Sequence, residues 1–315
     1  MKILITGGVG FIGRWVVKYL LKEKHDLWII DNLCNAKEDN LIELCSDPHF
    51  KKFIKVDIKN KDILHQIFQE KFDLCLHLAA AINVQLSLDN PKEIFETNVE
   101  GSFNILEEAR RTNTKVILMS TCMVYDKAKN SQKIDENHSL LPRSPYAASK
   151  ITAENLALSY YYSYGLPVAV LRPFNTYGPY QRIDGEGGVI SCFIANSLSG
   201  KALNIYGDGR QTRDFLYVED CAEFVKRTIS SDKIWGETIN AGTGKDISIN
   251  ELALLIGNGS GKIKHLSHIH PQSEIEKLVC DYSKAKKLLG WEPRVSLEEG
   301  IARTKEWICS QRKKD

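Results

Sequence analysis

The chain contains no Cys-x-x-Cys pair and no cluster of Cys with His. Its eight cysteines (34, 45, 75, 122, 192, 221, 280 and 309) are scattered. That spacing supports neither a zinc site nor a disulfide framework, and it fits reduced thiols in a cytosolic protein. Charge of one sign is not in excess: 42 Lys and Arg face 40 Asp and Glu, a net +2 with His neutral. A broad basic field for nucleic acid or an anionic membrane is therefore missing. No apolar run approaches the roughly 20 residues of a membrane span. The N-terminus enters strand-like Lys2-Ile3-Leu4-Ile5 directly, without the basic-then-apolar order of a secretory signal. Internal repeats and low-complexity tracts are absent. What is present is 315 residues, 43% hydrophobic and 26% charged, an ordinary balance for one large or two moderate globular domains. The expected setting is the cytoplasm.

Lys2 to Thr6 reads as a short apolar strand. Gly7-Gly8-Val9-Gly10-Phe11-Ile12-Gly13 follows, Arg14 to Lys24 has helical periodicity, and Leu27 to Ile30 is a second strand ending in Asp31. Strand, glycine turn, helix, strand and acid is the order of a dinucleotide site. Glycines let the backbone approach a pyrophosphate, and the helix N-terminus supplies oriented N–H groups. Asp31 lies 18 residues after Gly13, near the spacing of the acid that binds the adenosine ribose hydroxyls. A carboxylate there repels a 2′-phosphate, so NAD is expected over NADP. The glycine pattern alone also fits a turn in another α/β protein; the flanking strand, helix and acid favour the cofactor.

Strand and helix keep alternating. Phe53 to Val56 ends in Asp57, and Leu74 to Leu78 runs into Ala79-Ala80-Ala81. Val116 to Met119 ends at Ser120-Thr121, and Val168 to Leu171 at Arg172-Pro173-Phe174-Asn175. Helices are predicted over Lys61 to Gln69, Glu93 to Arg111 and Ala147 to Tyr162. Continuous apolar strands between amphipathic helices predict an α/β fold, a doubly wound parallel sheet covered on both faces. Ligands then bind beyond the strand C-termini, where Asp31, Asp57, Ala79 to Ala81, Thr121 and Asn175 fall. Asp57 is a candidate for adenine, and Ala79 and Ala80 for a close-lying cofactor. Strand-end Asp residues also cap helices, and Ala is common in cores. Asn98, inside a helical stretch, reads as a buried polar bridge or a solvated residue.

Pro145 can open a helix, and Tyr146 and Lys150 follow four residues apart on one face. An ammonium near a phenol favours the phenolate, so a lowered Tyr146 pKa is expected. Such a phenol takes a proton from an alcohol near neutral pH, as removal of hydride from a carbinol requires. Tyr-x-x-x-Lys alone equally describes an ordinary surface helix; the upstream cofactor signal gives it weight.

After Asn175 the texture changes. Gly178-Pro179 breaks the chain, and Gly185-Glu186-Gly187-Gly188 reads as a flexible loop. Val189 to Leu198, Ile249 to Leu255 and Ser283 to Leu289 read as helices, with strands at Leu203 to Tyr206 and Thr238 to Ala241. Arg210 and Arg213, beside Gly207-Asp208-Gly209, suit a bidentate grip on a diphosphate or are surface arginines. The expected division is a dinucleotide-binding unit over 1–172 plus part of 212–244, and a smaller C-terminal substrate unit over the remainder of 173–315.

Gly7-x-x-Gly10-x-x-Gly13, the Thr121 strand end and Tyr146-x-x-x-Lys150 together resemble the extended short-chain dehydrogenase/reductase family, and within it the nucleotide-sugar epimerases and dehydratases. Further matches are His77-Leu78-Ala79-Ala80, Asn98-Val99-Glu100-Gly101, Arg172 to Pro179, Gly207 to Phe215 and Lys286 to Trp291, so the likeness covers nearly the whole chain. The resemblance implies a Rossmann fold and tightly bound NAD that is used and regenerated in each turnover. Hydride leaves the sugar C4 to give a transient 4-keto sugar. Tyr146 is then the base for the C4 hydroxyl, Lys150 lowers its pKa and holds the nicotinamide ribose, and Thr121 hydrogen-bonds the C4 oxygen. Cofactor contacts are implied for Gly7, Gly10, Phe11, Ile12, Gly13, Asp31 and Asn32. They are implied also for Asp57, Ile58, Leu78, Ala79, Ala80, Asn98 and Pro173. Asn175, Val189, Asn204, Tyr206 and Arg213 match positions that hold the nucleoside diphosphate, and Glu274 an acid near the nucleotide. The usual Arg shortly before that acid is His270 here. Relatives often dimerise through two helices, which points to a homodimer through 93–111 and 147–162.

The pair Cys122-Met123 discriminates among these activities. In typical 4,6-dehydratases the two places hold Asp and Glu, the acid for the departing 6-hydroxyl and the base for the C5 proton. Met cannot titrate; a thiol, with a pKa of about 8.5 in model compounds, still carries a proton to give. Ser-Thr-Cys resembles the UDP-N-acetylglucosamine 5,6-dehydratases, which make a 5,6-ene (exo-glycal) product with hydride returned to C4. That reading is placed first, with a UDP-hexosamine nucleotide as the expected substrate. A 4-epimerase, or a 4,6-dehydratase, stands beside it. In a 4-epimerase Cys122 and Met123 merely line the pocket, as buried Cys and Met usually do. A dinucleotide sensor without turnover is more remote, because it has no need of Thr121, Tyr146 and Lys150.

Overall fold

The structure, a computed structural model, describes residues 1–129, 132–183, 188–257 and 262–312. Six strands are numbered in chain order: β1 (Lys2–Thr6), β2 (Asp26–Asp31), β3 (Phe50–Lys55), β4 (Leu74–His77), β5 (Lys115–Met119) and β6 (Val168–Pro173). With the strand Thr238–Ala241 they form one seven-stranded sheet, in the order Thr238–Ala241, β6, β5, β4, β1, β2, β3. Every adjacent pair is parallel. Chain order reverses between β1 and β4, and a crevice opens at such a switch point beyond the strand ends.

Alternation along the strands explains the two-sided core. Ile3 and Ile5 of β1 face a layer built with Val16 and Leu20 of α1 (Phe11–Lys22) and Val218 and Phe224 of the helix Val218–Ile229. Leu4, between them, faces the opposite layer with Leu64 and Phe68 of α2 (Lys61–Phe68) and Ile105. Each of these side chains contributes about 1.5–3 kcal/mol when fully buried. The doubly wound parallel sheet read from the sequence is therefore present.

The stretch predicted as one helix over Glu93–Arg111 is interrupted. After α3 (Val84–Asp89) come α4 (Pro91–Phe95), a π-helical turn at Glu96–Glu100, and α5 (Gly101–Thr112). The wide turn swings Asn98 inward to 1% exposure. Gly101 then lies against Ile58, where a Cβ would stand 2.5 Å from Ile58 Cδ1. Such π turns often mark functional positions. The helix carrying Tyr146 and Lys150 is α6 (Pro145–Tyr164). The Ser144 side chain accepts from Ala147 N, Pro145 takes the first turn, and Gly165 closes the helix at φ +67°.

The C-terminal part has its own apolar core, including Phe193, Ile194, Leu203, Ile205, Leu252 and Ile301. The helices Val189–Leu198 and Ser283–Leu289 fall as predicted, and Ile249–Ile256 extends one residue further. Leu203–Tyr206 pairs in parallel with Ile263–Leu266. The helices Val218–Ile229 and Leu297–Arg312 were not read from the sequence. The loop reading at Gly185, Glu186 and Gly187 lies outside the described residues. All eight cysteines are free. Among the described residues no helix is long and apolar enough to cross a membrane.

Candidate active site

A cleft of about 580 Å³ runs along the C-terminal strand ends, and a second cavity of about 330 Å³ lies against the C-terminal part. Asn175, Thr176, Gln181 and Gly188 line both.

The first cleft begins at the glycine turn. Gly7 has φ +70°, and a Cβ on it would stand 2.7 Å from Ala79 N. A Cβ on Gly13 would stand 2.1 Å from Gly7 O. The turn therefore tolerates no side chain at either place. No side chain caps α1 at Gly10, so the first-turn amides face the cleft wall formed by Gly10, Phe11, Ile12 and Gly13. Asp31 accepts from Val9 N at 3.1 Å and from Leu33 N at 2.9 Å. Burial raises its pKa, and those backbone N–H bonds oppose the rise.

Asn32, Ile58, Leu78, Ala79, Ala80 and Pro173 also line the cleft. Asp57 does not. Its Oδ2 accepts from Asn32 Nδ2 at 2.9 Å and its Oδ1 from Lys59 N at 2.9 Å. It holds Asn32, which itself lines the cleft. Asn98 also stands behind the wall, as a buried bridge. Its Oδ1 accepts from Ala81 N at 2.7 Å, and its Nδ2 donates to Ala81 O and to Ser149 Oγ, each at 2.9 Å. Beneath the same wall, His77 bonds Thr6 Oγ1 at 2.7 Å and Ser102 Oγ at 2.9 Å. Burial, with the Lys150 charge added, pushes that imidazole down to about 3.

Thr121, Cys122, Met123, Tyr146 and Lys150 all line the same cleft. β5 delivers Thr121, whose Oγ1 accepts from Met123 N at 3.2 Å and starts a single 3₁₀ turn, Cys122–Val124. The Tyr146 pKa is not lowered as the sequence predicts. Burial pushes it up to about 12, and the nearby Thr121 side chain only opposes this. Lys150 gives its hydrogen bond to Met119 O at 2.7 Å, and burial lowers its pKa to about 8. Desolvation thus decides both groups, raising the phenol and lowering the ammonium. The Cys122 thiol is 2% exposed. Burial pushes it up to about 12, with Arg213 drawing it down and Asp214 up.

The second cavity gathers Asn175, Val189, Asn204, Tyr206, Arg213 and Glu274. Asn204 and Tyr206 occupy the outward positions of an alternating strand. Arg213 donates to Thr212 O at 2.8 Å and Ile275 O at 2.7 Å, and pairs closely with Glu274. Burial raises the Glu274 carboxyl, but Arg213 and His268 together bring it below its ordinary value. His268, not His270, holds Glu274, at 2.7 Å; His270 instead bonds Ser273. Arg210 is 86% exposed and lies 3.8 Å from Asp208, off the wall. Of the two arginines beside the turn, Arg213 alone faces the cavity.

Residues 4–304 match the family described as GDP-mannose 4,6 dehydratase. The chain is 37% identical over 308 residues to a putative UDP-glucose 4-epimerase of Methanocaldococcus jannaschii, covering 97% of this chain and 98% of that one. The chain belongs to the nucleotide-sugar branch of the short-chain dehydrogenase/reductases. Among solved relatives, Pal of Bacillus thuringiensis is 58% identical with a TM-score of 0.98, covering 99% of this chain and 100% of Pal. DesIV of Streptomyces venezuelae, a dTDP-glucose 4,6-dehydratase solved with NAD bound, is 29% identical with a TM-score of 0.92, covering 99% and 98%.

The cleft of this short-chain dehydrogenase/reductase fits such a cofactor. Gly7 and Gly13 leave a cradle that a Cβ would fill, the α1 amides are uncapped, and Asp31 stands at the second strand end. Tyr180, Gln181 and Arg182 reach the cleft and His268 the second cavity; none was read from the sequence. They arrive on loops, where no periodicity announces a facing. Gln181 is held between Thr176 O at 3.1 Å and Ser191 Oγ at 3.0 Å.

Proposed function

We propose that this enzyme is an NAD-dependent nucleotide-sugar dehydratase that forms a 5,6-ene product from UDP-N-acetylglucosamine. The observation that carries the reading is Cys122. The residue lines the cleft beside Thr121, and burial keeps the thiol's proton on. On this reading NAD held in this cleft would supply the redox chemistry, accepting and returning a hydride at the sugar C4. Tyr146 takes the C4 hydroxyl proton, and Thr121, which lines the same cleft, orients the C4 oxygen. Lys150 holds the nicotinamide ribose. The 4-keto group would acidify C5–H; that proton would leave to a base in the cleft, the C5–C6 double bond would form as the C6–O bond breaks, and Cys122 would give its proton to the departing hydroxyl, releasing water. Gly7, Gly10 and Gly13 with Asp31 would hold the cofactor. Asn175, Val189, Asn204, Tyr206, Arg213 and Glu274 would hold the nucleoside diphosphate, Arg213 as the cation. The test is incubation with UDP-N-acetylglucosamine and mass spectrometry of the nucleotide sugar. Loss of one water supports the reading; unchanged mass with an inverted C4 replaces it by the next.

That second reading is a 4-epimerase, favoured by two observations. A thiol pushed up to about 12 is a feeble acid, and Met123 beside it has no proton to move. An epimerase needs only the Tyr146, Lys150 and Thr121 set, with room for the keto sugar to turn. Several similar sequences carry epimerase names, including a UDP-glucuronate 4-epimerase of Thermodesulfobacterium geofontis.

We also propose a homodimer through α4, α5 and α6. Phe95, Phe103 and Tyr162 of these helices are 50%, 41% and 76% exposed. Tyr160, by contrast, is buried, so the tyrosine run is not uniformly a surface feature.

A further inference from the structure

Beside the glycine turn, one buried guanidinium gathers segments from three parts of the chain. Arg14 follows Gly13 in the first turn of α1 and is 1% exposed. Its Nε donates to Asn40 O at 2.9 Å, and its terminal nitrogen pairs closely with Glu43. Both partners belong to the stretch after β2, which holds the 3₁₀ turn Glu38–Leu41. The flat face of the guanidinium lies over Tyr180, 3.5 Å from its carbon to the ring centroid. Tyr180 OH donates in turn to Glu43 at 3.3 Å, so the three side chains close a ring. The next residue of α1 pins the same segment, because Trp15 Nε1 donates to Pro179 O at 3.1 Å. Burying a guanidinium costs desolvation. Tyr180 adds a second cost, a φ of +72° that a residue with a Cβ rarely adopts. Strain of that kind collects beside functional sites, and here both costs are met at the cleft. Asn40, Tyr180 and Gln181 all line it. Asn40 Nδ2 also donates to Val9 O at 3.1 Å, in the residue whose N–H goes to Asp31. Gln181, next to Tyr180, lines the second cavity as well.

We propose that Arg14 is a positioning residue for cofactor retention: with Glu43 and Tyr180 it clasps the stretch after β2 to segment 179–181 and fixes the cleft walls beside the glycine turn. It rests on NAD binding in this cleft, which the dehydratase and epimerase readings share. A hydride that is removed and returned within one turnover requires the same cofactor to stay bound throughout, so slow release is a property this site has to build. An apolar side chain in place of Arg14 could fill the space but could not grip both segments. Only a guanidinium donates along its edge, here to Asn40 and Glu43, while stacking its face on a ring. The clasp reaches the dinucleotide through the residues it holds: Asn40 on one wall, Tyr180 and Gln181 on the other segment, and Val9 of the turn through Asn40.

The test is exchange of bound cofactor. Holoenzyme loaded with radiolabelled NAD is mixed with excess unlabelled NAD, and retained label is followed by rapid filtration. Arg14→Met keeps the length of the side chain and loses its donors. It should release label about tenfold faster than wild type, the worth of one charge-assisted hydrogen bond expressed as a rate. Tyr180→Gly removes the stacked ring and should match it, whereas Tyr180→Phe keeps the ring and should stay within about twofold of wild type. Because the side chains act as a unit, Arg14→Met with Tyr180→Gly should exchange within about twofold of the faster single variant. Should Arg14→Met fail to fold, Glu43→Ala is the substitute. The Glu43 side chain is 57% exposed, so its loss leaves no buried hole, and exchange about threefold faster is expected. Wild-type exchange in Arg14→Met, or in Glu43→Ala where that variant stands in, overturns the proposal, as does a double variant whose effects multiply. A side chain that only braces the fold would lower the thermal midpoint and leave the exchange rate alone. Exchange needs no substrate and no turnover, so a different sugar chemistry leaves the result standing; a wild-type protein that binds no NAD sinks the cofactor reading and this proposal together.

Discussion

At the scale of single residues, burial decides protonation in this site, and two predictions follow from it. The first concerns Cys122. If its thiol protonates the leaving hydroxyl, Cys122→Ala should slow water loss by about 10²–10⁴-fold, the usual worth of a positioned acid or base. Reduction of bound NAD, which reports hydride removal alone, should persist. Full dehydration by the variant would leave Cys122 as packing only. The second concerns His77, whose pKa falls from 6.5 to about 3 on burial. A group held down in the folded state contributes stability that is present above pH 6.5 and drains away as pH falls toward 3. His77→Gln should therefore flatten the fall of stability across that window, measured as urea midpoints at several pH values. An unaltered slope would show that other groups govern acid unfolding. The sequence exposed Thr121, Tyr146 and Lys150 because their signals are local: a strand end and one helical turn. It misjudged the phenol because desolvation depends on what folds over it. Which of His268 and His270 holds Glu274 is likewise decided by side-chain packing, which sequence spacing does not show.

At the scale of elements, the glycine turn is the part most completely written in the sequence. Strand, turn, helix and acid are contiguous, so no distant contact is needed to read them. Gly7→Ala tests the turn. It adds a Cβ 2.7 Å from a backbone nitrogen at a φ of +70°, so Ala79 must shift or β1 must yield. The strained backbone costs about 1–3 kcal/mol. Purified variant should release little or no NAD on denaturation, while wild type releases a near-stoichiometric amount. Equal release would mean that the turn does not cradle the cofactor. The break within 91–112 was not legible, because a π turn keeps the same composition as the helix around it. What forces it is tertiary: Asn98 bridging Ala81 to Ser149, and Gly101 packed on Ile58. The helix Val218–Ile229 escaped notice for a different reason. Five of its twelve residues, Glu219, Asp220, Glu223, Lys226 and Arg227, are charged and recur at helical spacing on one face, so the pattern was in the sequence but lay beside the turn signals that drew the reading. Val218, Phe224 and Val225 cover one face of the sheet.

At the scale of the whole molecule, four residues join the two cavities, so the reacting sugar would lie where the sheet meets the C-terminal part. Asn175 and Thr176 reach that junction from the end of β6, and Gln181 and Gly188 from the loop that follows. The sequence had no means of showing this junction, because the walls depend on long-range pairs such as Arg213 with Glu274, 61 positions apart. Assembly is the remaining question at this scale. α4 and α5 pack against α6, and Phe95, Phe103 and Tyr162 are left exposed. Aromatic side chains of this size, gathered on adjacent helices, exceed what an isolated surface usually shows and suit a self-complementary helical interface. The wild-type protein should therefore run as a dimer in light scattering at micromolar concentration. Phe103→Asp with Tyr162→Asp should place charge on that face without touching the cleft, giving a monomer that still binds NAD. A wild-type monomer, or a double variant that stays dimeric, would show that these rings serve another purpose.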